Sequence, residues 1–287
     1  MWDGERWHVF GTGAPDTGGR WRSLHATGPA LAGPWTEQDP SHLEGVLGGC
    51  VGAPGVVAED GRLHMFAQTD FAALGSRIEH LVSDDGGARF RRQRTALRSS
   101  RLRMAEAGVY DAHPSVVAGE RVLAYAAFAQ VGRPDLFLAR SRSATWSGPW
   151  QRRGRVLAHR QVAHHNQLDH PDYEWGLEGP QLIELPSGRV LLNAVCFLPT
   201  GGRGTRQRVF FAVADDVTGP YLSLGPVLDP ADGERWESGE NGHATAVLDE
   251  GRVWLFYQGR GAGTGWRWGT AWCRVDDVET AAAAILA

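Results

Sequence analysis

Apolar residues run along this chain in short bursts, alternating with polar positions or filling a few consecutive places, and each burst is closed by glycine, proline or a small polar residue. Period-two patterning with frequent turn signals and almost no 3.6-residue stripe predicts β-strands. One unit recurs: a glycine-centred turn followed by an apolar or aromatic run. It stands as Asp3-Gly4-Glu5-Arg6-Trp7-His8-Val9-Phe10, Asp60-Gly61-Arg62-Leu63-His64-Met65-Phe66, Gly119-Glu120-Arg121-Val122-Leu123-Ala124-Tyr125, Ser187-Gly188-Arg189-Val190-Leu191-Leu192 and Glu250-Gly251-Arg252-Val253-Trp254-Leu255-Phe256-Tyr257. The turn glycines lie 57, 58, 69 and 63 positions apart. Further strands are joined by Gly-Pro-aromatic corners at Gly33-Pro34-Trp35, Gly148-Pro149-Trp150 and Gly219-Pro220-Tyr221, where proline presets φ and glycine permits the reversal. Only the tail, Val278 to Leu286, has a helical pattern.

Five repeats of about four strands each form a radial array that leaves only short edges, the logic of a β-propeller. The expected fold is therefore all-β, a single five-bladed propeller over residues 1–287 with a short helical tail. Nothing before Asp3-Gly4 supplies an innermost strand for the first blade, so that blade is expected to lack it. A β-sandwich, which needs no repeat, is the competing architecture.

Composition narrows the partners. With 42% hydrophobic and 22% charged residues the chain reads as globular. A net charge of -4, from 29 basic against 33 acidic residues, offers no surplus to neutralise phosphates, so nucleic acid is not expected as a partner. No apolar run approaches the ~18 residues of a membrane span, and the start has neither a basic nor an apolar leader region, so a cytoplasmic location without membrane contact is expected. Cys50, Cys196 and Cys273 are isolated, which indicates neither a disulfide framework nor a cysteine zinc site.

In a propeller the innermost strands line the central channel, so their polar residues are the candidate chemistry. Four such strands are visible: Cys50 to Val57, Tyr110 to Val117, Leu177 to Ile183 and Asn241 to Val247. Three of them place an ionisable residue at nearly the same point, Asp111, Glu178 and His243, and His113 follows on the second of the four. The order Ala-Pro (Ala53-Pro54), Asp (Asp111), Glu-Gly-Pro (Glu178-Gly179-Pro180) and Gly-His (Gly242-His243) resembles the five-bladed propeller glycoside hydrolases, family 43 and its relatives, over nearly the whole chain.

That resemblance implies Glu178 as general acid, Asp111 as the carboxylate that tunes its pKa and orients the sugar, and His243 as a residue facing the axis beside a water or a metal ion such as calcium. No other cofactor is implied. An acid that protonates a glycosidic oxygen needs a raised pKa, which partial burial and a neighbouring carboxylate supply. Inversion also needs a base carboxylate roughly 6.5–9.5 Å from the acid, and the family carries it on the strand that the first blade lacks. Asp3, Asp70 and Asp169 are the substitutes to weigh, with Asp3 expected to be a capped turn residue.

The segment from Ala163 to Trp175 holds three of the 11 histidines, His164, His165 and His170, beside Asp169, Tyr173 and Trp175, and leads into Glu178. It reads as a metal site, as a sugar-binding lip using Asp169, His170 and Trp175, or as a polar surface loop. Most tryptophans fall at repeated blade positions and belong to packing, whereas Trp175, Trp236 and Trp266 lie in loops and are candidate sugar platforms. The expected function is cleavage of a glycosidic bond in a carbohydrate or glycosylated small molecule, with His113, His243, Asp169, His170, Trp175 and Asp70 as substrate contacts. The competing functions are a sugar-binding propeller without turnover and a small-molecule biosynthetic enzyme that uses the histidine-rich loop.

Overall fold

The computed structural model describes residues 1–13, 22–46, 51–69, 75–99, 106–128, 133–162, 176–199, 205–228, 236–261 and 265–287. Its five sheets follow one another in chain order as the blades of an all-β, five-bladed propeller. Two compact units divide the chain, with their boundary inside the third sheet. Unit 1 comprises Met1–Ser115, Glu120–Gly132 and Ala139–Arg152, and unit 2 comprises Val116–Gly119, Arg133–Leu138 and Arg153–Ala287.

Unit 1 opens with strands β1 (Trp7–Gly13), β2 (Arg22–Gly28) and β3 (Thr36–Glu37), which form a three-stranded sheet in that order. Among the described residues this first sheet has no inner strand, as the repeat pattern predicts. The second sheet contains β4 (His42–Glu44), β5 (Val51–Glu59), β6 (Arg62–Thr69), β7 (Arg77–Ser83) and β8 (Arg89–Arg98) in the order β4-β8-β7-β6-β5. Its fifth strand departs from the four expected: β4 pairs parallel to β8, with Glu44 set between Arg89 at 3.4 Å and Arg91 at 3.3 Å. The apolar faces of β5 to β8 meet in a cluster of Val56, Leu63, Met65, Ala67, Leu81 and Phe90.

The third sheet runs β12 (Trp150–Leu157), β11 (Asp135–Ser141), β10 (Glu120–Phe128), β9 (Gly108–Val117). Unit 2 then holds a fourth sheet of β13 (Leu177–Glu184), β14 (Val190–Pro199), β15 (Thr205–Ala214) and β16 (Leu222–Pro226), and a fifth of β17 (Glu240–Asp249), β18 (Arg252–Arg260) and β19 (Arg267–Arg274). Alternate residues of these strands, Val209, Phe211 and Val213 on β15 and Val253, Leu255 and Tyr257 on β18, share one buried cluster, because successive side chains of a strand point to opposite faces. After β19 the chain enters helix α2 (Val275–Leu286), which buries Val275, Val278 and Ala282 in that cluster. A short helix, α1 (His159–Val162), follows β12. No helix among the described residues is long and apolar enough to cross a membrane.

The three Gly-Pro-aromatic corners are alike: Gly33, Gly148 and Gly219 all have positive φ and precede a cis proline. Tyr221 is buried at its corner and Trp150 packs on the fully buried Trp146, so these aromatics serve packing, as the repeat pattern indicates.

Candidate active site

The inner strands share one backbone irregularity. Strand β5 slips register against β6 between Gly52 and Gly55, β13 against β14 between Glu178 and Gln181, and β17 against β18 between Gly242 and Thr245. At each slip one residue is left-handed: Ala53 at φ 43°, Gly179 at 56° and His243 at 43°. On β9 the matching residue is Asp111 at 47°. A bulge of this kind bends the strand and re-aims its side chains, and Asp and His tolerate the left-handed region better than most residues. Asp111 and His243 therefore stand at the same point of their strands, whereas Glu178 stands one place earlier and leaves the left-handed position to Gly179.

In unit 2 the structure brings Glu178 and His243 together, with Glu178 Oε2 lying 3.7 Å from His243 Nε2. Their side chains keep 20% and 31% of their surface exposed, enough to meet a ligand without being fully solvated. Gln207, on β15, completes the cluster. Its side-chain Nε2 lies 3.3 Å from His243 Nε2, and its backbone N–H donates to Glu240 Oε2 at 3.0 Å. The glycine at 242 is required by this packing, since a Cβ there would overlap Gln207 Oε1.

Two further amides hold the strands that carry the pair. Gln181 donates from Nε2 to the Ala246 carbonyl at 2.8 Å and accepts the Ala246 N–H at 2.7 Å, which ties β13 to β17 beyond both bulges. Asn193 of β14 donates to the Ala244 carbonyl at 2.7 Å, next to His243. Because both amides are buried, these bonds form away from competing water and fix the spacing of the two strands. Gln181, Asn193 and Gln207 were not singled out by sequence reasoning. Their signal is faint: Asn193 is a single amide inside the apolar run Leu191-Leu192-Asn193-Ala194-Val195, Gln181 opens one, and Gln207 stands between two arginines.

In unit 1, Asp111 is buried and its backbone N–H donates to Gln68 Oε1 at 2.8 Å. His113, two residues on, is half-buried, and burial lowers its pKa to about 4, so the imidazole is neutral at pH 7. Asp3 is a capped turn residue as expected. Its Oδ1 accepts the N–H groups of Glu5 and Arg6, and its Oδ2 lies 2.7 Å from His8 Nε2. Asp70, His164, His165, Asp169, His170 and Trp175 lie outside the described residues. Of the candidate platforms, Trp236 is half-buried, stacks on Tyr257 with centroids 6.0 Å apart and fills space against Gly259 and Gly269. Trp266 is exposed, with the Arg260 guanidinium 4.6 Å from its ring centroid.

A partly buried carboxyl group beside an imidazole can hold and deliver a proton at a fixed point, the basic requirement of general acid–base chemistry. No family model and no curated protein matches the chain. Solved structures share its fold. The native arabinanase of Bacillus subtilis is 16% identical, with 97% of this chain and 94% of that one aligned at a TM-score of 0.69. A thermostable family-43 glycoside hydrolase is 16% identical over 96% of this chain and 87% of its own, with a TM-score of 0.66. An α-L-arabinanase of Cellvibrio cellulosa complexed with arabinohexaose is 15% identical over 96% and 89%, with a TM-score of 0.64. At such identities the likeness is one of architecture: this chain has the five-bladed propeller fold of these glycoside hydrolases.

Proposed function

We propose that the chain is a glycoside hydrolase in which Glu178 is the general acid, acting on a carbohydrate or a glycosylated small molecule. The observation that carries this reading is the placing of Glu178 at the Glu-Gly-Pro bulge of an inner strand, 3.7 Å from His243, in a fold shared with family-43 enzymes.

Glu178 gives its proton to the glycosidic oxygen as the bond to the anomeric carbon breaks, and the leaving group departs as an alcohol. Asp111, at the left-handed position of β9, takes the supporting role that the family resemblance gives it, tuning the acid and orienting the sugar. His243 and Gln207 bind the sugar's hydroxyls. A water attacking from the opposite face gives inversion when a base carboxylate sits roughly 6.5–9.5 Å from the acid, and Asp70 and Asp169 are the residues to test for that role. Glu178 and His243 offer one carboxylate and one imidazole. Glu178 would supply an oxygen to a calcium ion, which takes about six to eight such ligands, and no step is assigned to that ion.

Turnover of unsubstituted phenyl arabinofuranosides, xylopyranosides and galactopyranosides, whose leaving group needs a proton, by the purified chain and by Glu178→Gln tests the reading. General-acid catalysis contributes about 10²–10⁴-fold, so the variant should lose that much while keeping its melting temperature. An undiminished rate would remove Glu178 from the reaction.

A further inference from the structure

We infer that Trp266 is the platform of an outer sugar subsite, where its indole stacks on a ring of a linear oligosaccharide away from the bond that Glu178 cleaves. The inference rests on the glycoside hydrolase reading and adds to it a preference for longer chains.

Glu240 opens β17, Arg260 ends β18 and Trp266 immediately precedes β19, so all three lie at one end of the antiparallel fifth sheet. His243 is three residues into β17 from that same end, about 10 Å along the strand at ~3.3 Å per residue. A continuous line of contacts joins them. The Arg260 guanidinium lies 4.6 Å from the Trp266 ring centroid, and its Nε is paired with Glu240 Oε1. Glu240 Oε2 accepts the Gln207 N–H at 3.0 Å, and the Gln207 amide reaches His243 Nε2 at 3.3 Å.

Trp266 is 42% exposed although a cation–π contact holds it in place, so a large flat apolar surface is kept in water in a fixed orientation. The Arg260 side chain is 44% exposed and presents guanidinium donors beside that surface. An apolar plate edged by donors matches a sugar ring, which has one C–H face and a rim of hydroxyls. Trp268, the second residue of β19, is also exposed, and among the described residues no guanidinium lies over its ring, whereas two other tryptophans nearby fit less well. Trp236 is used in packing, and Trp272 lies toward the opposite end of β19, under the Arg252 guanidinium at 4.4 Å.

The test measures binding without turnover. In the Glu178→Gln background, disaccharides and hexasaccharides of α-1,5-arabinan, β-1,4-xylan and β-1,4-galactan are titrated by calorimetry against the parent and against Trp266→Ala and Trp266→Phe. The expected result is that one hexasaccharide binds the parent, that Trp266→Ala weakens it about tenfold, the equivalent of ~1.4 kcal/mol, that Trp266→Phe restores most of the loss, and that the matching disaccharide is unaffected. Equal hexasaccharide binding by the parent and Trp266→Ala would overturn the inference and leave the role of Glu178 standing. An equal loss for both lengths, or a parent that binds none of the six probes, would also overturn it. Turnover of aryl glycosides judges the hydrolase reading separately.

Discussion

Two kinds of histidine environment separate the units. In unit 1 four histidines are paired with each other, His8, His25 and His80 buried and His64 half-buried. His8 Nδ1 lies 2.9 Å from His25 Nε2, and His64 Nδ1 lies 3.0 Å from His80 Nε2. The pairs are copies of one arrangement, with Phe10 opposite His25 in the strand register, Phe66 opposite His80, and all rings stacked within 12°. Burial lowers the pKa of His25 to about 4 and that of His80 to about 3. In unit 2, His243 sits on a bulge with nearly a third of its side chain exposed and faces a carboxylate. The same residue type is thus a packing element where a partner imidazole satisfies it and a chemical group where a bulge turns it toward a carboxyl group.

The largest effect expected from this contrast is acid lability centred on unit 1. His25, His80 and His113 have folded-state pKa values depressed below the ordinary 6.5, so the unfolded chain binds more protons than the folded one below that pH. Their contribution is complete above about pH 6.5 and is lost as pH falls toward 4 for His25 and His113 and toward 3 for His80. Three protons taken up on unfolding give a slope of about 4 kcal/mol per pH unit at its steepest. Urea unfolding at stepped pH measures that slope, and hydrogen exchange near pH 5 should show strands β1, β2, β6 and β7 opening first. A flat stability profile from pH 7 to 4.5 would contradict the buried pairs.

Gly242→Ala is the next largest. Its Cβ would displace the Gln207 side chain, so about 1–3 kcal/mol of stability should go, and with it the contact between Gln207 and His243. Thermal melting reads the first loss, and loss of glycan binding reads the second. Gly179→Ala should cost least. Its φ is positive, but the closest atom to an added Cβ is 3.7 Å away, and Ala53, Asp111 and His243 already hold side chains at this backbone position. About 1–2 kcal/mol in a chemical melt is expected, with turnover preserved. A collapse of the fold on this change would break the equivalence of the four left-handed positions.

Much of the fold was legible in the sequence because its signals are local. Alternating apolar positions mark strands, Asp-Gly and Gly-Pro mark turns, and repetition of both gives the blades. Strand β4 was not legible, since three residues carry no periodicity and their parallel pairing with β8 comes from distant chain. The imidazole pairs were hidden for a similar reason: His8 and His25 meet only through the β1–β2 register. At the site, Glu178 and His243 could be picked out by their places in the inner strands. The one-residue offset of Glu178 was not visible, because it depends on which residue of the bulge takes positive φ. Gln207 is a lone amide whose meaning appears only once β15 and β17 lie side by side.

The central claim is that Glu178 protonates the departing oxygen, and the leaving-group dependence of Glu178→Gln tests it most directly. Hydrolysis rates of a series of aryl glycosides, from dinitrophenyl to unsubstituted phenyl, would be compared in the parent and the variant. A phenolate that is stable without a proton needs no acid, so the account predicts little loss for dinitrophenyl and a loss of about 10²–10⁴-fold for phenyl. A uniform loss across the series, or none, would contradict it.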